Sequence, residues 1–133
     1  MIDPREPVRR VMSVGAISVD ERLTLRSLAA VLAELGVGVA ITARTDGTAA
    51  IVSERDVVWA LAQGAEPDEV WVADVMTEDL VIAEPGESIL DVAARMRDEG
   101  VRHVAIVDDG MVIGVVSARD LLDIVVDYLQ AGV

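Results

Sequence analysis

Two short runs in this 133-residue chain carry side chains suited to holding a small ligand: Ser53-Glu54-Arg55-Asp56 and Ser117-Ala118-Arg119-Asp120. A carboxylate offers acceptors for the two donors of a ribose diol. A serine hydroxyl and the free N–H groups of a helix start can receive a phosphate. The same spacing has a purely structural use, because Ser followed three residues later by an acid is a capping box that ties down the first helical turn. One site can serve both roles. Arg102 and His103 add a guanidinium fork and an imidazole donor that suit a phosphate; the bland alternative is a strand-end histidine and an arginine balancing an acidic surface.

Much other chemistry is excluded by residue type. All eleven basic residues are Arg, there is no Lys and no Cys, and His103 is the only imidazole. Schiff-base catalysis, thiolate chemistry, cysteine-based metal sites and the lysine-dependent phosphate loop are absent, and a Ser-His-Asp triad would have to use His103. The chain is therefore not expected to be an enzyme. Asp+Glu 24 against Lys+Arg 11 gives a net charge of -13, which disfavours a nucleic-acid polymer as partner. Trp59, Trp71 and Tyr128 make no base-stacking platform. Acidic pairs such as Asp108-Asp109 lack the spacing of a calcium loop, so no dedicated metal site is expected. The charged N-terminus and the lack of a long apolar run imply neither leader nor membrane span, and zero cysteines fit the cytoplasm.

The elements that position these residues emerge when the chain is laid on itself at an offset of 64, the separation of Ser53 from Ser117. Val11-Met12-Ser13 then meets Val75-Met76-Thr77, Gly36-Val37 meets Gly100-Val101, and Val52-Ser53 meets Val116-Ser117. Each copy predicts an extended piece (residues 16–19 and 80–83), then a helix with apolar residues at Leu25, Leu28, Leu32 and Leu35, or Ile89, Val92 and Met96, ended by Gly36 or Gly100. Two β-rich runs follow around an Asp-Gly turn, at Asp46-Gly47 and Asp109-Gly110. A second helix closes each unit over 53–63 and 117–130, the latter with Leu121, Leu122, Val125 and Leu129 as its apolar stripe. The fold class is α+β: a β-α-β-β-α unit given twice, over 8–64 and 70–130, joined by residues 64–69. Units of about sixty residues are marginal alone, which predicts that they pack sheet to sheet about a pseudo-twofold axis as one module.

The run V-M-T-x-x-x-V-x-x-x-P-x-x-S-I-x-D-V-A over 75–93, followed by G-V-R-H-V-A-I-V-D-D-G-M-V-I-G-V-V-S-A-R-D-L-L over 100–122, resembles the cystathionine-β-synthase-type (CBS) domain. With the looser first copy, the chain is similar to a stand-alone tandem pair. The first copy departs from the pattern in lacking the proline after V-M-S-V-G-A-I-S-V and in having Gly38 and Val39 where the second has Arg102 and His103. The resemblance implies two clefts between the repeats that bind adenosine-containing ligands such as AMP, ADP, ATP, S-adenosylmethionine or NAD, with occupancy signalled to a partner protein. It implies that Asp56 and Asp120 hold ribose hydroxyls, with Ser53 and Ser117 as hydroxyl contacts and Arg55 and Arg119 beside them. Adenine would lie against Ile17, Val81 and Ile82, with Ser13 and Thr77 at the mouth. Arg102, His103 and the adjoining Val104 would border the phosphate. No cofactor is required, although Mg²⁺ could arrive with a nucleotide. The family also implies a homodimer formed through helices. The alternative left open is an interaction dimer whose clefts bind nothing. Trp59 and Trp71 are expected to pack against their own chain, with a dimer contact second.

Overall fold

The computed structural model describes residues 1–14, 17–44 and 48–132. In chain order the strands are β1 (Ser13–Val14), β2 (Ser18–Asp20), β3 (Val39–Ala43), β4 (Ala49–Ser53), β5 (Ile82–Ala83), β6 (His103–Asp108) and β7 (Met111–Ser117). The helices are α1 (Leu25–Leu35), α2 (Glu54–Ala62), α3 (Val72–Val75), α4 (Ile89–Glu99) and α5 (Ala118–Gln130), with a single 3-10 turn at Val8–Arg10. The β-α-β-β-α order occurs twice, in an α+β fold. Two compact units form: a central unit, Ala16–Leu80, and a terminal unit that joins Met1–Gly15 to Val81–Val133.

In the central unit β2 pairs parallel with β3, and β3 antiparallel with β4. Helix α1 starts at Thr24, whose hydroxyl accepts from the Ser27 N–H, and ends at Gly36, where φ of 65° demands a residue without a Cβ penalty. Its Leu28 and Leu32 are buried with Val19, Ala40, Val52, Val57 and Val72. Leu35, expected on the same stripe, is exposed, because it falls in the last turn beside the cap. The predicted Asp46-Gly47 turn lies outside the described residues.

The terminal unit has a four-stranded sheet in the order β1-β7-β6-β5. Asp109 and Gly110 both have positive φ, 51° and 77°, as the predicted Asp-Gly hairpin requires. The stripe Ile89, Val92 and Met96 of α4 is buried with Val8, Val104, Ile106, Val116 and Leu121. Of the stripe expected on α5, Leu121 is buried while Leu122 and Leu129 are exposed. The expectation is corrected accordingly: one line of apolar residues seats this helix and the rest faces outward.

Both units are completed by chain from the other sequence repeat. The Val8 N–H donates to the Glu87 carbonyl at 2.7 Å, and the Val72 N–H to the Leu23 carbonyl at 2.8 Å. Both valines are fully buried. β1 then adds to β7, and Thr77 bridges Ile51 of β4 in the equivalent manner.

Candidate functional site

The two S-x-R-D runs open α2 and α5, where serine is the N-cap and aspartate the third helical residue. Ser53 Oγ accepts from the Asp56 N–H at 3.3 Å, and Asp56 Oδ2 accepts from the Ser53 N–H at 2.8 Å. The corresponding distances for Ser117 and Asp120 are 3.1 and 3.2 Å. The capping box is present in both copies, and it engages Oδ2 of each aspartate.

Strand register gathers the other candidates into two groups. In the terminal unit Ser13 stands opposite Val115, Val115 opposite Ala105, and Ala105 opposite Ile82, a row across four strands. The Val81 carbonyl accepts from the Ala105 N–H at 3.0 Å. His103 stands opposite Ser117, with Arg102 just before it. Ser13, Val81, Ile82, Arg102, His103, Ser117, Arg119 and Asp120 therefore share this unit. In the central unit Thr77 and Ile51 exchange both backbone hydrogen bonds, at 2.8 and 3.1 Å. Ile51 is opposite Ile41, Ile41 is opposite Ser18, and the Ile17 carbonyl accepts from the Ile41 N–H at 2.8 Å. Ile17, Ser53, Arg55, Asp56 and Thr77 form the second group.

Val104 is the exception. Its side chain is fully buried in the core of the terminal unit, because on β6 it points to the face covered by α4 and α5. Ala16, which the extended piece was expected to include, lies outside the described residues.

The arginines divide by environment. Arg5, Arg10, Arg22, Arg26, Arg44, Arg95 and Arg97 each pair with a carboxylate. The Arg5 hydrogen bond holds the Asp3 carboxyl at about 2, and the Arg95 hydrogen bond holds Glu87 below its ordinary range. Arg9, Arg55, Arg102 and Arg119 are exposed, and none of the four has an ion-pair partner among the described residues. In a chain so rich in carboxylates, three of these four cations stand at or beside the S-x-R-D runs, and Arg9 lies in the Val8–Arg10 turn.

Two features were missed in the sequence. Glu54 lies over Gly38, so that a Cβ at Gly38 would sit 3.3 Å from Glu54 Oε1. A depression of about 460 Å³ in the central unit is lined by Asp56, Trp59, Ala60, Gln63, Val70 and Asp74. Trp59 and Trp71, expected to pack against their own chain, are 68% and 48% exposed: Trp59 is on the outer face of α2, and Trp71 is the residue before α3.

Residues 72–127 match the CBS domain family. An uncharacterized protein of Methanocaldococcus jannaschii is 30% identical over 96% of this chain and 47% of its own length. A CBS domain protein from Pyrobaculum aerophilum complexed with AMP has a TM-score of 0.79 at 27% identity, covering 93% of this chain and 98% of that one. Residues 72–127 belong to the CBS domain family, and the chain has the fold of a CBS domain pair. A further CBS domain pair, in complex with 5′-methylthioadenosine and S-adenosyl-L-methionine, has a TM-score of 0.83 at 22% identity over 94% of this chain and 99% of that one. This CBS pair spans about half the length of the curated M. jannaschii relative. Among its described residues no helix is long and apolar enough to cross a membrane.

Proposed function

We propose that this CBS pair is a regulatory module that binds adenosine-containing ligands at its two S-x-R-D sites and passes their occupancy to a partner protein. The observation that carries the reading is that Arg55, Arg102 and Arg119, without an ion pair among the described residues, stand at or beside the runs whose aspartates can accept from a ribose. The AMP complex of the P. aerophilum protein supports the ligand class. A regulatory role rather than a catalytic one is supported by the residue set, which lacks lysine and cysteine nucleophiles and leaves His103 as the one imidazole base. Ligand need only bind two conformations unequally to transmit a signal. The module works as a cytoplasmic homodimer, with the outward apolar face of α5 (Leu122, Val126, Leu129) as the contact.

Thermal unfolding with AMP, ADP, ATP, S-adenosylmethionine or NADH tests the reading. A ligand at about a hundred times its dissociation constant adds roughly 2.7 kcal/mol per site. If none of the five raises the melting temperature, the module is an interaction protein and the nucleotide reading fails.

A further inference from the structure

We propose that one exchange of residues sorts the ligands of the two S-x-R-D sites: the central unit takes an adenosine whose 5′ substituent carries no negative charge, and the terminal unit takes a phosphorylated one. This inference rests on the nucleotide reading and names the determinant within it, Glu54.

The exchange is visible because the backbone around it is the same twice. In the terminal unit the Ala118 N–H donates to the Arg102 carbonyl at 2.8 Å; in the central unit the Glu54 N–H donates to the Gly38 carbonyl at 2.9 Å. Around this shared contact the side chains are traded. The terminal unit has a cation against a methyl group, and the central unit has no side chain against a carboxylate. Glu54 fills the space that a side chain at Gly38 would enter, its Oε1 only 3.3 Å from the place of a Cβ. The next position repeats the contrast, with Val39 opposite Ser53 and His103 opposite Ser117.

The charge at the two helix starts is thereby reversed. The central site has Glu54 and Asp56 against Arg55. The terminal site has Arg102 and Arg119 against Asp120, with His103 as a further donor. Among the described residues neither Glu54 nor Arg102 is spent in an ion pair, so each acts on whatever occupies its site. A phosphate beside Glu54 and Asp56 meets like charge, whereas a neutral or cationic substituent does not. The α2 N–H groups alone do not reverse this, since Asp56 and Ser53 already engage one another there.

The full chain is titrated calorimetrically with AMP and with 5′-methylthioadenosine, which keeps the nucleoside and lacks the phosphate. One AMP per chain is expected, with 5′-methylthioadenosine also filling the central site. Glu54→Gln, which removes only charge, should raise AMP affinity at the central site several-fold. Gly38→Arg combined with Glu54→Ala installs the terminal unit's own pair and should create a second AMP site, a gain on the order of tenfold or more. Arg102→Gly should weaken AMP by a similar factor and leave 5′-methylthioadenosine bound. Two equivalent AMP sites in the unaltered chain would overturn the sorting, as would failure of both Glu54 variants to admit AMP while 5′-methylthioadenosine still binds. Absence of binding by both compounds would instead overturn the nucleotide reading, and the sorting with it.

Discussion

Ser13, from the first sequence repeat, is the antiparallel ladder partner of Val115, from the second. Thr77 and Ile51 repeat the relationship with the repeats interchanged. Each hairpin is thus extended by the V-M-[S/T] segment of the other copy, and each candidate site draws residues from both copies.

The handover makes Gly114 sensitive. A Cβ there would lie 2.9 Å from both Met12 Sδ and the Ser13 carbonyl oxygen, and the carbonyl is backbone that cannot swing aside. Gly114→Ala should therefore push β1 off β7 and destabilise the protein by about 1–3 kcal/mol. Urea unfolding measures this. A neutral result would show that β1 is loosely held.

The capping boxes allow stability to be separated from binding. Ser117→Ala removes the hydroxyl that accepts from the Asp120 N–H and should cost about 0.5–2 kcal/mol without ligand. Asp120→Asn keeps an oxygen for the Ser117 N–H yet loses the charge. It should melt close to the unaltered protein and lose most of the AMP-induced rise. If Asp120→Asn keeps the full rise, Asp120 is a cap alone.

Local features were legible in the sequence because they are written in adjacent residues. Gly36 ends α1, Gly100 ends α4, and Asp109-Gly110 makes its hairpin. The exchange of β1 was not legible, since Val11-Met12-Ser13 carries the same pattern whichever hairpin it joins. Leu122 and Leu121 show the second limit. Both are apolar and adjacent, and only the direction of α5 decides that one is buried and the other faces out. The site was legible as a motif, while Glu54 was not, because its meaning depends on Gly38, sixteen positions away in sequence and in contact through the hairpin.

Thr42 is fully buried, and its hydroxyl has no hydrogen-bond partner. The equivalent place in the terminal unit is held by Ile106, also fully buried. An unmet buried hydroxyl costs about 1–3 kcal/mol. Thr42→Val keeps the shape and removes the polar atom, so it should raise the melting temperature, read by calorimetry. A lower melting temperature would mean that the hydroxyl is satisfied in solution.

Leu122, Val126 and Leu129 recur at helical spacing along the outward side of α5, and Leu129 is 67% exposed. Leu122→Glu with Leu129→Glu should turn a dimer into a monomer in sedimentation experiments, raising the dissociation constant at least about a hundredfold. Folding should survive, since Leu121 still seats the helix. A monomer before substitution would remove this face as the contact.

Acid sensitivity should concentrate in the terminal unit. Arg95 donates to both Glu87 oxygens and, at 2.8 Å, to the Ile82 carbonyl, so it ties α4 to the edge strand β5 that borders the terminal site. Its hydrogen bonds depress the Glu87 carboxyl in the folded chain. A folded carboxyl below its unfolded value contributes stability that is fully present above the unfolded value, about 4.3, and is lost as pH falls through the folded one. Asp3, held at about 2 by Arg5, and Glu6, both in the terminal unit, follow the same sign; Asp20 and Asp68 in the central unit do so too, but they are more exposed and screened by salt. Stability should therefore be level down to about pH 5 and decline below it. Glu87→Gln should lower stability at pH 7 and flatten the acid limb, a change that chemical unfolding from pH 3 to 7 would resolve. An unchanged slope in Glu87→Gln would assign the acid limb to other carboxylates and leave Arg95 as a tether to Ile82 alone.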